Sequence, residues 1–197
     1  EAVAGAAKGT TDSIMITLGT GVGGGIIIDG KVYSGFNYAA AELGHMMIVA
    51  NGNPCSCGLN GCWEAYSSAT ALIKSTREAM ERNPDTVMWE MCEGNLANVN
   101  GRTAFNAMRQ GDMVAAEVID MYIEYLAVGI INIINIFCPE VLSIGGGISN
   151  EGESLLAAIE PMVRAEQYGG GLVPLTELKI AKLGNDAGII GAAFLGI

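Results

Sequence analysis

Two short apolar runs, Ser13-Ile-Met-Ile-Thr-Leu18 and Gly25-Ile-Ile-Ile28, flank a run of glycines, and the second leads into Asp29-Gly30 and Lys31-Val-Tyr33. Asp-Gly between apolar runs predicts a hairpin, because a type I′ turn needs positive φ at both central residues. The segment therefore reads as an antiparallel meander. From Trp63 to Arg82 the period lengthens: apolar or small residues recur at Trp63, Tyr66, Thr70, Ile73 and Met80, and Asn83-Pro84 ends the run, which predicts one helix. Asp112 can cap a long helix that stops at Cys138-Pro139, with Val114, Val118, Met121, Tyr125 and Val128 as its buried face. Glu140-Val-Leu-Ser-Ile144 then predicts a buried strand, Gly145-Gly-Gly147 a turn, and Asn150 with Glu153 the capping pair of another helix. A last strand over Thr176 to Leu183 leads to a terminal helix capped by Asn185 or Asp186. Strands first, then strands alternating with helices, predict a mixed-sheet α/β domain, with residues 84 to 111 as a helical excursion on it.

Composition adds limits. Of 197 residues half are hydrophobic and 16% are charged, enough to bury a substantial core. The net charge of -11 argues against a nucleic-acid surface, since phosphates would find little to neutralise them. The longest apolar tract, Leu126 to Phe137, is interrupted by Asn132 and Asn135 and is too short to span a bilayer. No signal peptide is evident, so the expected compartment is the cytoplasm. Glu1 to Gly9 reads as the last turns of a helix with a Gly C-cap and no N-cap, and the chain is expected to be a fragment that begins inside a helix.

Leu18-Gly-Thr-Gly-Val-Gly-Gly-Gly25 contains a formal G-x-G-x-x-G, but a dinucleotide fingerprint needs a helix directly after the loop and here a hairpin continues. It is not a Walker A loop either, because no Gly-Lys-Ser/Thr follows. Two readings stay open: a glycine-rich turn with close strand packing, or a loop whose bare N–H groups and Thr20 hydroxyl grip a phosphate. Gly145 to Gly147, between a strand and a helix, offers a second stretch of bare backbone for a nucleotide.

Three of the five cysteines fall within Cys55-Ser-Cys-Gly-Leu-Asn-Gly-Cys62, ten residues after the only histidine, His45. In a reducing compartment such a cluster suits a metal better than a disulfide. His45, Cys55, Cys57 and Cys62 form the Cys3His set of a tetrahedral structural Zn2+, with all four positions filled by protein. The alternative is a group of free buried cysteines beside a hydrogen-bonded histidine. A metal would also bring Glu42 and Glu64 into one locality, where carboxylates can accept bidentate hydrogen bonds from the vicinal hydroxyls of a sugar.

Ala41-Glu-Leu-Gly-His45, followed by Cys55-x-Cys57-Gly58-x-x-Gly61-Cys62-x-Glu64, resembles the signature of the ROK family of repressors and sugar kinases. The loop at 18 to 25, Ser-Ile-Gly-Gly-Gly at 143 to 147 and Gly184-Asn-Asp-Ala-Gly188 fit the same family, so the resemblance covers nearly the whole chain. It implies an actin-like, ribonuclease H-like ATPase fold of two lobes, this chain being mainly the C-terminal one. It implies transfer of the γ-phosphoryl group of Mg-ATP to the 6-hydroxyl of glucose or a related hexose, in a homo-oligomer. Glu42, His45 and Glu64 would hold sugar hydroxyls, and His45 would ligate zinc through its other nitrogen beside Cys55, Cys57 and Cys62. Gly19, Thr20 and Gly21 would line the phosphate site, and Gly145, Gly146 and Gly147 the adenosine site. Mg2+ would enter with ATP. The family's catalytic aspartate, in an Asn-Asp motif, has no match here, so the chain alone is expected to be inactive or nearly so. Position 41 is Ala where the family usually has Gly, a departure that is tolerable if the backbone there avoids positive φ. The competing implication is a sugar-responsive regulator.

Overall fold

The computed structural model describes residues 1–194. Five strands form one mixed sheet: β1 (Ser13–Leu18), β2 (Val22–Ile28), β3 (Lys31–Val32), β4 (Val141–Gly145) and β5 (Glu177–Ile180), in the spatial order β3-β2-β1-β4-β5. The meander β1-β2-β3 is antiparallel, whereas β4 joins β1 in parallel and β5 joins β4 in parallel. Asp29 and Gly30 turn the hairpin with φ of 51° and 71°, as the sequence requires. The mixed α/β expectation holds.

The helices are α1 (Glu64–Ser67), α2 (Ala69–Arg82), α3 (Met88–Met91), α4 (Thr103–Arg109), α5 (Met113–Phe137), α6 (Glu153–Glu166) and α7 (Ala187–Phe194). Ile14, Ile16 and Leu18 of β1 alternate onto one face, as a half-buried strand must, and there they share a core with Leu126 and Ile130 of α5 and Ile159 and Val163 of α6. Of the described helices, none is long and apolar enough to cross a membrane.

Several expectations need correction. The helix expected over 63 to 82 is two helices, broken at Ser68, whose extended backbone and side-chain oxygen cap α2 by accepting from the Ala71 N–H. Asp112 does cap α5, accepting from the Ala115 N–H at 2.8 Å, but the buried face is Ala115, Ile119, Tyr122, Leu126, Ile130 and Ile133; Met121 and Val128 are exposed. Only Val118 of the expected face is buried, because a helix apolar on most sides gives periodicity little contrast. Glu1 to Gly9 is a series of turns rather than a helix, closed by Lys8 N–H to Gly5 O and Thr10 N–H to Ala7 O. Asn150 lies inside a 3-10 turn, Gly147–Glu151, where its amide donates to Gly147 O, so α6 starts at Glu153 with Gly152 at its N-cap and no side-chain cap. A 3-10 turn over Gly184–Asp186 holds Asn185 and Asp186 and leads into α7.

Candidate functional site

Gly19, Thr20 and Gly21 are all that separates β1 from β2; Gly23, Gly24 and Gly25 belong to β2 itself. Their lack of side chains serves packing. A Cβ at Gly24 would stand 2.6 Å from the Ala41 carbonyl oxygen, and one at Gly44 would collide with the Val22 carbonyl. Glycine at both positions lets the 3-10 turn Leu43–His45 lie against β2, which places His45. Ala41 adopts φ 66°, so the condition under which alanine would be free of strain is not met, and the left-handed backbone there costs about 1–2 kcal/mol.

The cysteine loop is held by two isolated β-bridges, Met47 with Cys62 at its base and Pro54 with Asn60 nearer its tip. One ligand atom from each of His45, Cys55, Cys57 and Cys62 lies within 4.8 Å of the others. The Cys55 sulfur is 3.6 Å from His45 Nδ1, and the Cys57 and Cys62 sulfurs are 3.7 Å apart. Tetrahedral zinc with ordinary bond lengths separates its ligands by about 3.5 Å for nitrogen to sulfur and about 3.8 Å for sulfur to sulfur, so the donor set fits that metal. Burial, first, and the neighbouring sulfurs push the Cys62 thiol up to about 12, while the Leu59 N–H, first, holds Cys57 below the ordinary thiol value. A cation among them is what would keep all three as thiolates.

Glu64 joins this loop to the glycines. One carboxylate oxygen accepts from the Val22 N–H at 3.0 Å, and the other accepts from the Ser56 hydroxyl at 2.9 Å and lies 3.8 Å from the Cys55 sulfur. A Cβ at Gly21 would strike that carboxylate. Trp63 anchors it from behind: the indole is fully buried, its N–H donates to the Tyr125 carbonyl at 2.9 Å, and it occupies a notch in α5 that any side chain at Gly129 would fill. A cavity of about 500 Å³ lies here, lined by Thr20, Gly21, Ser56, Glu64, Thr70 and Lys74 among others. Glu42 is exposed at the start of the 3-10 turn and, among the described residues, makes no side-chain hydrogen bond.

The second glycine cluster meets the first. Gly146 has φ 87°, and a Cβ there would be 2.5 Å from the Leu18 carbonyl oxygen and 2.6 Å from its nitrogen, so the backbones after β1 and β4 touch. A cavity of about 720 Å³ opens beside them, bounded by Thr17, Gly145, Gly146, Gly147, Asn185 and Gly188. That lies within the range of small-molecule sites. The structure thus brings together Thr20, Gly21 and Glu64, and separately the four metal-type ligands and Gly145 to Gly147. Sequence reasoning missed Ser56, Thr17 and Thr70. Only Ser56, between two cysteines, carried any signal.

The ROK family profile matches residues 1–197. The chain belongs to the ROK family. It is 36% identical to a glucokinase of Streptomyces coelicolor over 97% of this chain and 61% of that protein. It is also 33% identical to the xylose repressor of Bacillus subtilis, over the whole chain and 47% of the repressor. Its fold matches the crystal structure of a ROK glucokinase from Streptomyces griseus in complex with glucose and AMPPNP, with a TM-score of 0.87 and 37% identity over 96% of this chain and 62% of that one. The fold is therefore the actin-like ATPase fold of the ROK sugar kinases, and this chain spans about three fifths of the length of the glucokinases it matches.

Proposed function

We propose that this chain is the C-terminal lobe of an ATP-dependent hexose 6-phosphotransferase, carrying its nucleotide site and most of its sugar-binding groups, with glucose as the acceptor. The observation that carries the reading is the single Glu64 carboxylate held between the Val22 N–H at the glycine loop and the Ser56 hydroxyl of the cysteine loop. A polyol bound by Glu64 would sit beside a phosphate bound at Thr20 and Gly21, the proximity that phosphoryl transfer needs. Similarity to a glucokinase crystallised with glucose and AMPPNP supports the same pairing of ligands.

In this reading Glu42, His45 and Glu64 orient the sugar through its hydroxyls. His45 turns Nδ1 toward the sulfurs, leaving Nε2 for the substrate. Zinc, when bound by His45, Cys55, Cys57 and Cys62, would supply no chemistry beyond fixing the loop, since all four positions are taken. Gly145 to Gly147 and the cavity beside them receive adenosine. A chain with net charge -11 repels a nucleotide at long range, but screening confines that to about 8 Å, so local donors and the accompanying Mg2+ decide binding. The base that takes the 6-hydroxyl proton lies outside these residues, and the 197-residue chain alone is expected to be nearly inactive.

The test is Mg-ATP-dependent phosphorylation of a hexose panel by the full-length protein, with the 197-residue chain as control. Glucose 6-phosphate from the full-length protein alone supports the kinase and a base outside this chain. Turnover by the shorter chain refutes the second point. The likeness to a xylose repressor motivates a second reading, a sugar-responsive regulator, which sugar binding without turnover would favour.

A further inference from the structure

The hydrogen bonds of the glycine loop are sorted by polarity. Gly19 O accepts from the Ala69 N–H at 2.8 Å, Thr20 O accepts from the Thr70 hydroxyl at 2.8 Å, and Gly21 O accepts from the Gly19 N–H at 3.0 Å. Every carbonyl of the loop is occupied. Among the described residues, the Thr20 and Gly21 N–H groups have no partner, and Thr20 itself is exposed. These two donors fall on successive peptide units at the half-exposed mouth of the cavity, open to solvent or to an incoming anion.

The trans peptide is planar, with its C=O and N–H pointing in opposite directions. Thr20 O and Gly21 N–H belong to one such unit, so pinning the carbonyl to the Thr70 side chain aims the Gly21 N–H away from α2. The Ala69 N–H does the same for the unit that carries Gly19 O and Thr20 N–H. Glycine at 19 and 21 would otherwise let either unit rotate at little cost, and a half-turn would present an oxygen where an anion needs a donor. The Ala69 link is backbone and insensitive to side-chain identity. The Thr70 link depends on one hydroxyl.

We propose that Thr70 is a positioning residue for phosphoryl transfer: by holding the Thr20 carbonyl it locks the Thr20–Gly21 peptide with its N–H toward the bound phosphate group. The assignment rests on the kinase reading above. Because Thr70 is exposed and Thr→Val keeps the side chain's shape while removing only the hydroxyl, the variant should fold like the parent.

The experiment compares full-length wild type, Thr70→Val and Thr70→Ser in steady-state kinetics, varying Mg-ATP and hexose independently, with thermal melting as a control. Thr70→Val is expected to lower kcat/KM for ATP by about tenfold to hundredfold, with KM for the hexose changed by less than about twofold. Thr70→Ser, which keeps the hydroxyl, is expected to stay within about threefold of wild type. Equal ATP kinetics for wild type and Thr70→Val, or equal losses in the Val and Ser variants at unchanged melting temperature, would overturn the assignment while leaving the kinase reading intact. Absence of turnover in the wild type would overturn the kinase reading and this assignment with it.

Discussion

The two loops that meet at Glu64 are held by different means. The glycine loop caps two strands in the middle of the sheet, both paired along their length, and its carbonyls are tied to α2 or within the loop. The cysteine loop has only two isolated bridges, and its apolar residues Met47 and Leu59 are each 59% exposed. It buries little of its own surface, so in the proposed reading a metal held by the four converging ligands would do what packing does for its neighbour. One half of the site is built into the sheet, and the other would depend on the proposed metal cross-link.

The largest effect should come from removing that cross-link. Chelation, or Cys57→Ser, is expected to reduce bound zinc from about one equivalent to near none and to abolish sugar binding. Hydrogen exchange should rise across residues 46 to 62 and stay unchanged in β1 and β4. Exchange that rises equally in the sheet would show that the two halves are one cooperative unit. The converse break is Gly146→Ala, which places a Cβ against the Leu18 backbone at a positive φ. It should cost about 1–3 kcal/mol of stability and impair nucleotide binding, with zinc content unaffected. Retained nucleotide affinity at full stability would mean that the contact between the two glycine clusters is slack.

Glu64→Gln probes the junction itself. The carboxylate accepts from the Val22 N–H and the Ser56 hydroxyl, and losing a charge-assisted acceptor is worth about 1.5–3 kcal/mol, a loss of about tenfold to hundredfold in sugar affinity by calorimetry. Zinc should remain bound; unchanged sugar affinity would remove Glu64 from the site. The smallest effect is a gain. At φ 66° Ala41→Gly relieves about 1–2 kcal/mol of strain against about 0.4–1 kcal/mol of added unfolded-state entropy, so denaturant melts should show stabilisation by about 0.5–1 kcal/mol. A destabilised variant would mean that the Ala41 methyl contributes more by packing than its backbone costs.

Legibility in the sequence followed the same division. Features encoded by neighbours along the chain were readable: the Asp29-Gly30 turn, the Asp112 cap, and the cysteine spacing whose sulfurs and imidazole do converge. Features set by what lies across the fold were not. The rotation of α5 is not legible because Val114, Met121 and Val128 are as apolar as the residues that face the core, and only the packing of α1, α2, α4 and α6 around the helix decides between them. The break at Ser68 lies in a run, Ser67-Ser-Ala-Thr70, that a helix tolerates; it becomes a break because Ala69 and Thr70 are taken up by the glycine loop. Glu64 could be singled out by its spacing after Cys62, but that it ties two loops together depends on Ser56 and Val22, which no local pattern links to it.

The notch at Gly129 gives the protein an optical reporter. Trp63 lies between the metal-type ligand Cys62 and the carboxylate of Glu64, with its indole sealed in α5, while the other tryptophan, Trp89, hydrogen-bonds to Met80 and Asn83 carbonyls at the far end of α2. Emission from Trp63 should shift when the cysteine loop loosens or a ligand engages Glu64, and Trp89→Phe in the 197-residue chain would leave Trp63 as its sole tryptophan, so that occupancy of the site can be followed without any attached dye.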